Sequence, residues 1–75
     1  MEMIQLFVKG STRAKQQAGA EMARLTGVEI LQRPVGDIAD SLMLTTKKPT
    51  SATAQDVAEA LRKVRNIVSV EINTG

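Results

Sequence analysis

The segment at residues 3–10, which reads MIQLFVKG, constrains the fold more than any other part of the chain. Ile4, Leu6 and Val8 alternate with the remaining residues, so they point to one side of an extended strand. Phe7 points to the opposite side. A strand with apolar side chains on both sides is typical of the interior of a sheet. We therefore expect a central strand with one side covered by the rest of the chain and the other side available to a partner.

Size and composition limit the classes of function. The 75 residues predict one domain over 1–75 with a small core. Cysteine and histidine are both missing from the sequence, which removes disulfides and the commonest general base and metal ligand. We therefore predict no metal, no cofactor and no catalytic residue, and so no enzyme. The formal net charge of +2 is far below that of a dedicated nucleic-acid binder. No apolar run is long enough for a membrane span and no signal peptide is evident, which predicts a cytoplasmic protein.

Hydrophobic spacing predicts two helices, at about 12–25 and 54–65. Ser11 is the expected N-cap of the first helix and Gly27 its C-terminal residue in left-handed geometry. Leu25 is expected to complete the buried stripe of the first helix. Further strands are predicted at 28–33, 41–47 and 67–73.

Two details of the predicted strands bear on the sheet faces. Pro34 is expected to end the second strand and to lead into a turn at 35–37. In the last strand, alternation predicts that Val68, Val70 and Ile72 point inward.

The resulting order, βαββαβ, predicts an α+β fold. Two right-handed crossovers interleave into a ferredoxin-like sandwich with a four-stranded antiparallel sheet, order 4-1-3-2, and both helices on one face. The open face is expected to carry Phe7, Leu31, Met43 and Ile67. Apolar side chains on an uncovered sheet indicate a partner surface, although scattered ones are normal on any protein. Because so small a domain gains most from burying them, we expect a homodimer or a protein partner.

The start of the first helix suggests a ligand site. Arg13 and Lys15 occupy its first turn and no acid precedes Glu21, so the charges oppose the helix dipole. Backbone N–H groups beside these cations suit a small anion. The candidate segment contains Lys9, Gly10, Ser11, Thr12 and Arg13. The alternative is that solvent, or Asp37 and Asp40, neutralise ordinary surface charges.

Two stretches resemble ACT-type regulatory domains. The sequence LTGVEI at 25–30 resembles the family's helix-to-second-strand step, and LRKVRNIVSVE at 61–71 resembles its closing helix and strand. The resemblance implies a dimerising module that binds a small ligand, often an amino acid, between subunits. The family's Asp-x-Pro-Gly loop is replaced here by KGSTR at 9–13, so the ligand stays unassigned.

Other hypotheses for the function remain open. LFVKG at 6–10 is similar to the first-strand motif of RNA-recognition motifs, with Phe7 placed to stack on a base of a single-stranded nucleic acid. The third strand lacks an aromatic residue, so such binding would be weak. Heavy-metal-associated domains share the topology but need paired cysteines. The last alternative is a peptide-binding or assembly module that adds a strand to an exposed edge.

Overall fold

The computed structural model describes residues 1–35 and 41–73. Its elements are β1 (Gln5–Gly10), α1 (Thr12–Thr26), β2 (Ile30–Pro34), β3 (Ser41–Thr46), α2 (Ala54–Arg62) and β4 (Ile67–Ile72). The α+β class is therefore as predicted. The later part of the predicted turn after β2, together with Asp37 and Asp40, lies outside the described residues.

The four strands form one antiparallel sheet in the order β2-β3-β1-β4. This is the predicted order 4-1-3-2 read from the opposite edge. β1 and β3 are central, and the arrangement fits a ferredoxin-like fold. β2 and β4 are the edge strands, each with one side free of strand pairing.

A single cluster of buried apolar residues lies between the sheet and the helices. The predicted alternation of β1 is confirmed, because Ile4, Leu6 and Val8 are all essentially inaccessible to solvent. The remaining fully buried members come from every other element except β2: Ala18, Met22, Leu44, Val57, Ala58, Leu61 and Val70. Both helices therefore cover the sheet face on which Leu6 and Val8 lie. The other face stays open.

The ends of α1 follow local capping chemistry. The Ser11 hydroxyl accepts a hydrogen bond from the Ala14 N–H at 3.2 Å, which confirms the predicted N-cap. Gly27 has a φ of 72° and its N–H donates to the Ala23 carbonyl at 2.9 Å, as predicted for the C-terminal residue.

The buried stripe of α1 differs from the prediction. Leu25 is 36% exposed, so its predicted burial is wrong. The buried positions are Ala14, Ala18 and Met22 at four-residue spacing, flanked by Lys15 and Gly19. At that spacing the stripe drifts around the helix, away from the side that carries residue 25.

The second helix ends earlier than predicted, at Arg62 instead of residue 65. The N–H groups of Lys63 and Val64 bond to carbonyls three residues back, which tightens the last turn and stops the helix. Asn66 then adopts a φ of 70°, a left-handed conformation that asparagine tolerates better than most residues. The chain thereby turns directly into β4.

A bulge in β4 changes which residues face the helices. Lys9 pairs with Ser69 but Gly10 pairs with Ile67, so Val68 has no partner on β1. Residues before the bulge change faces relative to simple alternation. Two predictions are therefore wrong. Ile67 packs against the core instead of lying on the open face, and Val68 is 80% exposed instead of pointing inward.

Candidate interaction surface

The open face of the sheet carries three rows of side chains that run across the strands. The strand registers, together with the bond from the Asn73 N–H to the Gln5 carbonyl, define these rows. From β4 towards β2, the polar row contains Asn73, Gln5, Thr45 and Leu31; the central row contains Glu71, Phe7, Met43 and Arg33; and the third row contains Ser69, Lys9 and Ser41.

The apolar part of this surface is centred on Phe7. Phe7 and Met43 are directly opposed across β1 and β3, and both are half-buried. Leu31 is 40% exposed at the β2 end of the polar row. Three of the four residues predicted for this face therefore lie on it, and Ile67 does not.

A shallow depression of about 210 Å³ flanks Phe7. Its lining consists of Phe7, Lys9, Val35, Ser41, Ser69 and Glu71. Val35, which the sequence predicts to lie in a turn, directly follows β2 and lines this depression. Its side chain adds apolar surface to the face.

Opposite charges occupy the two ends of the central row. Glu71 on β4 and Arg33 on β2 are both exposed, and neither makes an ion pair with any described residue. Three strand spacings separate them, a distance of about 14 Å, so they do not pair within one chain. The row is therefore apolar at its centre, negative at one end and positive at the other.

Hydrogen bonds fix the polar row. The Gln5 amide donates to the Thr45 hydroxyl at 3.2 Å, and the Asn73 amide donates to the Gln5 side-chain oxygen. These bonds hold three neighbouring strands in register at their open face. They also give the apolar centre a polar border on one side.

The structure divides the predicted anion segment between two concavities. Ser11 and Arg13 line one of about 360 Å³, together with Arg65 and Asn66 from the α2–β4 connection. Lys9 instead lines the depression beside Phe7. The remaining members of the segment do not line either concavity: Gly10 lies at the bulge, and Thr12 is an exposed residue of α1.

Arginine covers part of one sheet edge. The bond from Asn73 to Gln5 implies that Val70 directs its backbone groups away from β1, towards the free side of β4. The Arg62 guanidinium donates to this Val70 carbonyl at 3.0 Å. Arg62 therefore caps an acceptor that another strand would otherwise use.

The β2 edge is more open within the described residues. Lys47 donates its N–H to the Glu29 carbonyl, so Ile30 and Gln32 direct their backbone groups away from β3. Those groups make no backbone hydrogen bond with any residue in 1–35 or 41–73, and Pro34 supplies no N–H at all.

The pKa shifts lie away from the open sheet face, on α1. A side-chain hydrogen bond from Arg24 lowers the pKa of Glu21, and the same bond raises the pKa of Arg24.

Within residues 1–35 and 41–73, no group of three acidic, histidine or cysteine side chains could hold a metal ion. In the same residues, no helix has both the length and the apolar character that crossing a membrane requires. In comparisons with known proteins, the chain matches no family model and no curated protein.

Proposed function

We propose that this chain is a non-catalytic interaction module of the regulatory, ACT-like kind, and that it acts as a homodimer joined through its open sheet face. One observation carries the proposal: the Phe7–Met43 pair lies at the centre of a face that no described element covers. A domain of this size has little core, so burial of this pair and of Leu31 would add appreciable stabilisation.

The dimensions of the molecule set the expected affinity. Its two longest extents are 31 and 23 Å, which bound the area of one face at about 560 Å² if the face is elliptical. Two copies would then bury about 1,100 Å² in total, close to the lower limit for specific interfaces. We therefore expect a dimer with a dissociation constant in the micromolar range, since small interfaces leave little surplus over the cost of association.

Sedimentation velocity over a range of protein concentrations tests the homodimer. The native chain should show a monomer–dimer equilibrium, and Phe7→Ser should be monomeric. Val68→Ser is the matched control, because it removes an apolar side chain that is 80% exposed but lies outside the open-face rows. Circular dichroism verifies that both variants fold. A native chain that is monomeric throughout, or a Val68→Ser variant that loses the dimer equally, would refute the proposal.

A small anion is a second candidate partner. The supporting observation is that Arg13 and Arg65, from different elements, line one concavity at the start of α1. Inorganic phosphate and citrate should raise the melting temperature, and Arg13→Ala or Arg65→Ala should remove that shift. Lys48→Ala, a lysine outside this concavity, is the control. An unchanged shift in both arginine variants would exclude this ligand site.

Two further partners are distinguished by separate observations. The uncovered backbone groups of Ile30 and Gln32 favour β2 over β4 as the edge for strand addition. Exposed Lys9 and Arg33 share the open face with Phe7 and would favour single-stranded RNA, with retention that falls as salt rises. Retention on RNA that Phe7→Ala abolishes would support the nucleic-acid function over the homodimer.

A further inference from the structure

The central row is self-complementary in charge. Glu71 stands at its β4 end and Arg33 at its β2 end, with Phe7 and Met43 between them. A second copy of the same row, turned end for end, presents an opposite charge to each of these charges. Neither Glu71 nor Arg33 forms an ion pair with another residue of the described chain, so both charges are available to a partner.

We infer that two copies stack their open faces about a twofold axis that runs parallel to the strands, between β1 and β3, so that Arg33 of each copy pairs with the partner's Glu71. This inference rests on the proposed homodimer and specifies its geometry. Aligned sheets of this kind pack about 10 Å apart, with their strands turned by about 30° through sheet twist.

Symmetry leaves two limiting ways to stack the faces. An axis along the strands places β4 over the partner's β2 and β1 over the partner's β3. Glu71 then meets the partner's Arg33, and Phe7 meets the partner's Met43. An axis across the strands places each strand over itself, so Glu71 meets the partner's Glu71 and Arg33 meets the partner's Arg33. Like charges in register oppose association, which selects the first arrangement.

The other contacts of the first arrangement are compatible with it. A thioether against an aromatic ring is a favourable contact, and symmetry forms the contact between Phe7 and the partner's Met43 twice. Gln5 lies over the partner's Thr45, and Lys9 lies over the partner's Ser41. At the end of the polar row, Leu31 lies over the partner's Asn73. No pair of like charges is placed directly in register among the described residues of the three rows.

Charge reversal gives a test that depends on the twofold axis. Arg33→Glu carries two acids at the row ends, and Glu71→Arg carries two bases, so each homodimer contains two repulsive pairs. Each single variant should dissociate at least about tenfold more readily than the native chain. The double variant R33E/E71R should regain the native dissociation constant. An equimolar mixture of the two single variants should form heterodimers, which native mass spectrometry resolves because the variants differ in mass.

Matched reversals separate this geometry from general charge effects. Lys48→Glu and Glu59→Arg change the net charge equally but lie off the open face, so both should retain the native dimer. A dimer that Phe7→Ser abolishes but Arg33→Glu leaves intact would overturn the inferred axis while the homodimer stands. Failure of the double variant to regain affinity would overturn it as well. A monomeric native chain would overturn both proposals together.

Discussion

Replacing Gly10 by alanine should destabilise the protein more than the same replacement at Gly19 or Gly27. A Cβ at Gly10 would lie 2.6 Å from the Asn66 carbonyl oxygen and 3.2 Å from the Ile67 Cα. Both atoms belong to the backbone, so neither can rotate away as a side chain would. The start of β4 would have to move, and Ile67 would lose its packing against the core.

The size of the effect follows from overpacking. Inserting a methyl group into a rigid, filled site costs about 1–3 kcal/mol, and a backbone clash places Gly10→Ala in the upper half of that range. For a domain of this length, each kcal/mol lowers the melting temperature by about 4–8 °C. We therefore expect a fall of about 10–20 °C for Gly10→Ala.

Two other glycines provide graded controls. At Gly19 the new Cβ would meet the Gln32 side-chain amide at 2.5 Å, and because Gln32 is exposed its side chain can swing away. Gly19→Ala should be neutral or stabilising by up to about 1 kcal/mol through helix propensity. At Gly27 nothing lies within 4 Å but φ is 72°, so alanine should cost about 1–2 kcal/mol through backbone strain alone.

Far-UV circular dichroism is the suitable assay, because the sequence has no tryptophan or tyrosine for fluorescence. Thermal melts should be compared at one protein concentration, since self-association adds to apparent stability. Gly10→Ala melting at the native temperature would refute the close approach at the bulge. A Gly19→Ala variant that falls as far as Gly10→Ala would refute the distinction between a rigid backbone contact and a movable side chain.

Two further predictions concern a buried hydroxyl and a surface ion pair. Thr46→Val should cost about 1–3 kcal/mol in urea denaturation, because the fully buried Thr46 hydroxyl accepts the Ile4 N–H at 2.8 Å and valine leaves that donor unsatisfied. Thr12→Val, at an exposed position of α1, is its control and should change stability by less than about 0.5 kcal/mol. A side-chain hydrogen bond from Arg24 lowers the pKa of Glu21, so the contribution of this pair to stability is present above the unfolded-state pKa and is lost as the pH falls through the folded-state pKa. The stability difference between the native chain and Glu21→Gln should therefore shrink as the pH falls through the acidic range, and a constant difference would contradict it.

Local chemistry made much of the fold predictable. The alternation of Ile4, Leu6 and Val8 depends only on the two-residue period of a strand, and these residues are buried as expected. Ser11 and Gly27 cap α1 through contacts within a few residues, so composition and spacing were sufficient. The strand order followed from the handedness of two crossovers.

The bulge could not be predicted in the same way. It depends on how closely Gly10 approaches the start of β4, which is a contact between residues far apart in sequence. One unpaired residue, Val68, was sufficient to move Ile67 from the expected open face into the core. Simple alternation in β4 therefore gave the correct face for Val70 and the wrong one for Ile67 and Val68.

Part of the proposed site could be predicted from strand alternation alone. Phe7 and Met43 lie on the open face because each strand alternates, and no tertiary detail was needed. The opposition of Arg33 and Glu71 across four strands requires the sheet order and every register at once. The segment at 9–13 looked contiguous in sequence, but a strand ends and a helix begins within it, so its side chains separate onto different surfaces.

The structure of the two sheet edges affects which surface the module uses for association. An unpaired edge invites strand addition, and natural proteins usually shorten it, charge it or cover it. Here Arg62 covers the Val70 carbonyl on β4, while β2 is only five residues long and ends in Pro34. Such edges limit strand pairing without reducing the apolar area around Phe7. The open face therefore offers more apolar surface for association than either edge, and Phe7→Ser is the substitution that should distinguish association through the face from association through an edge.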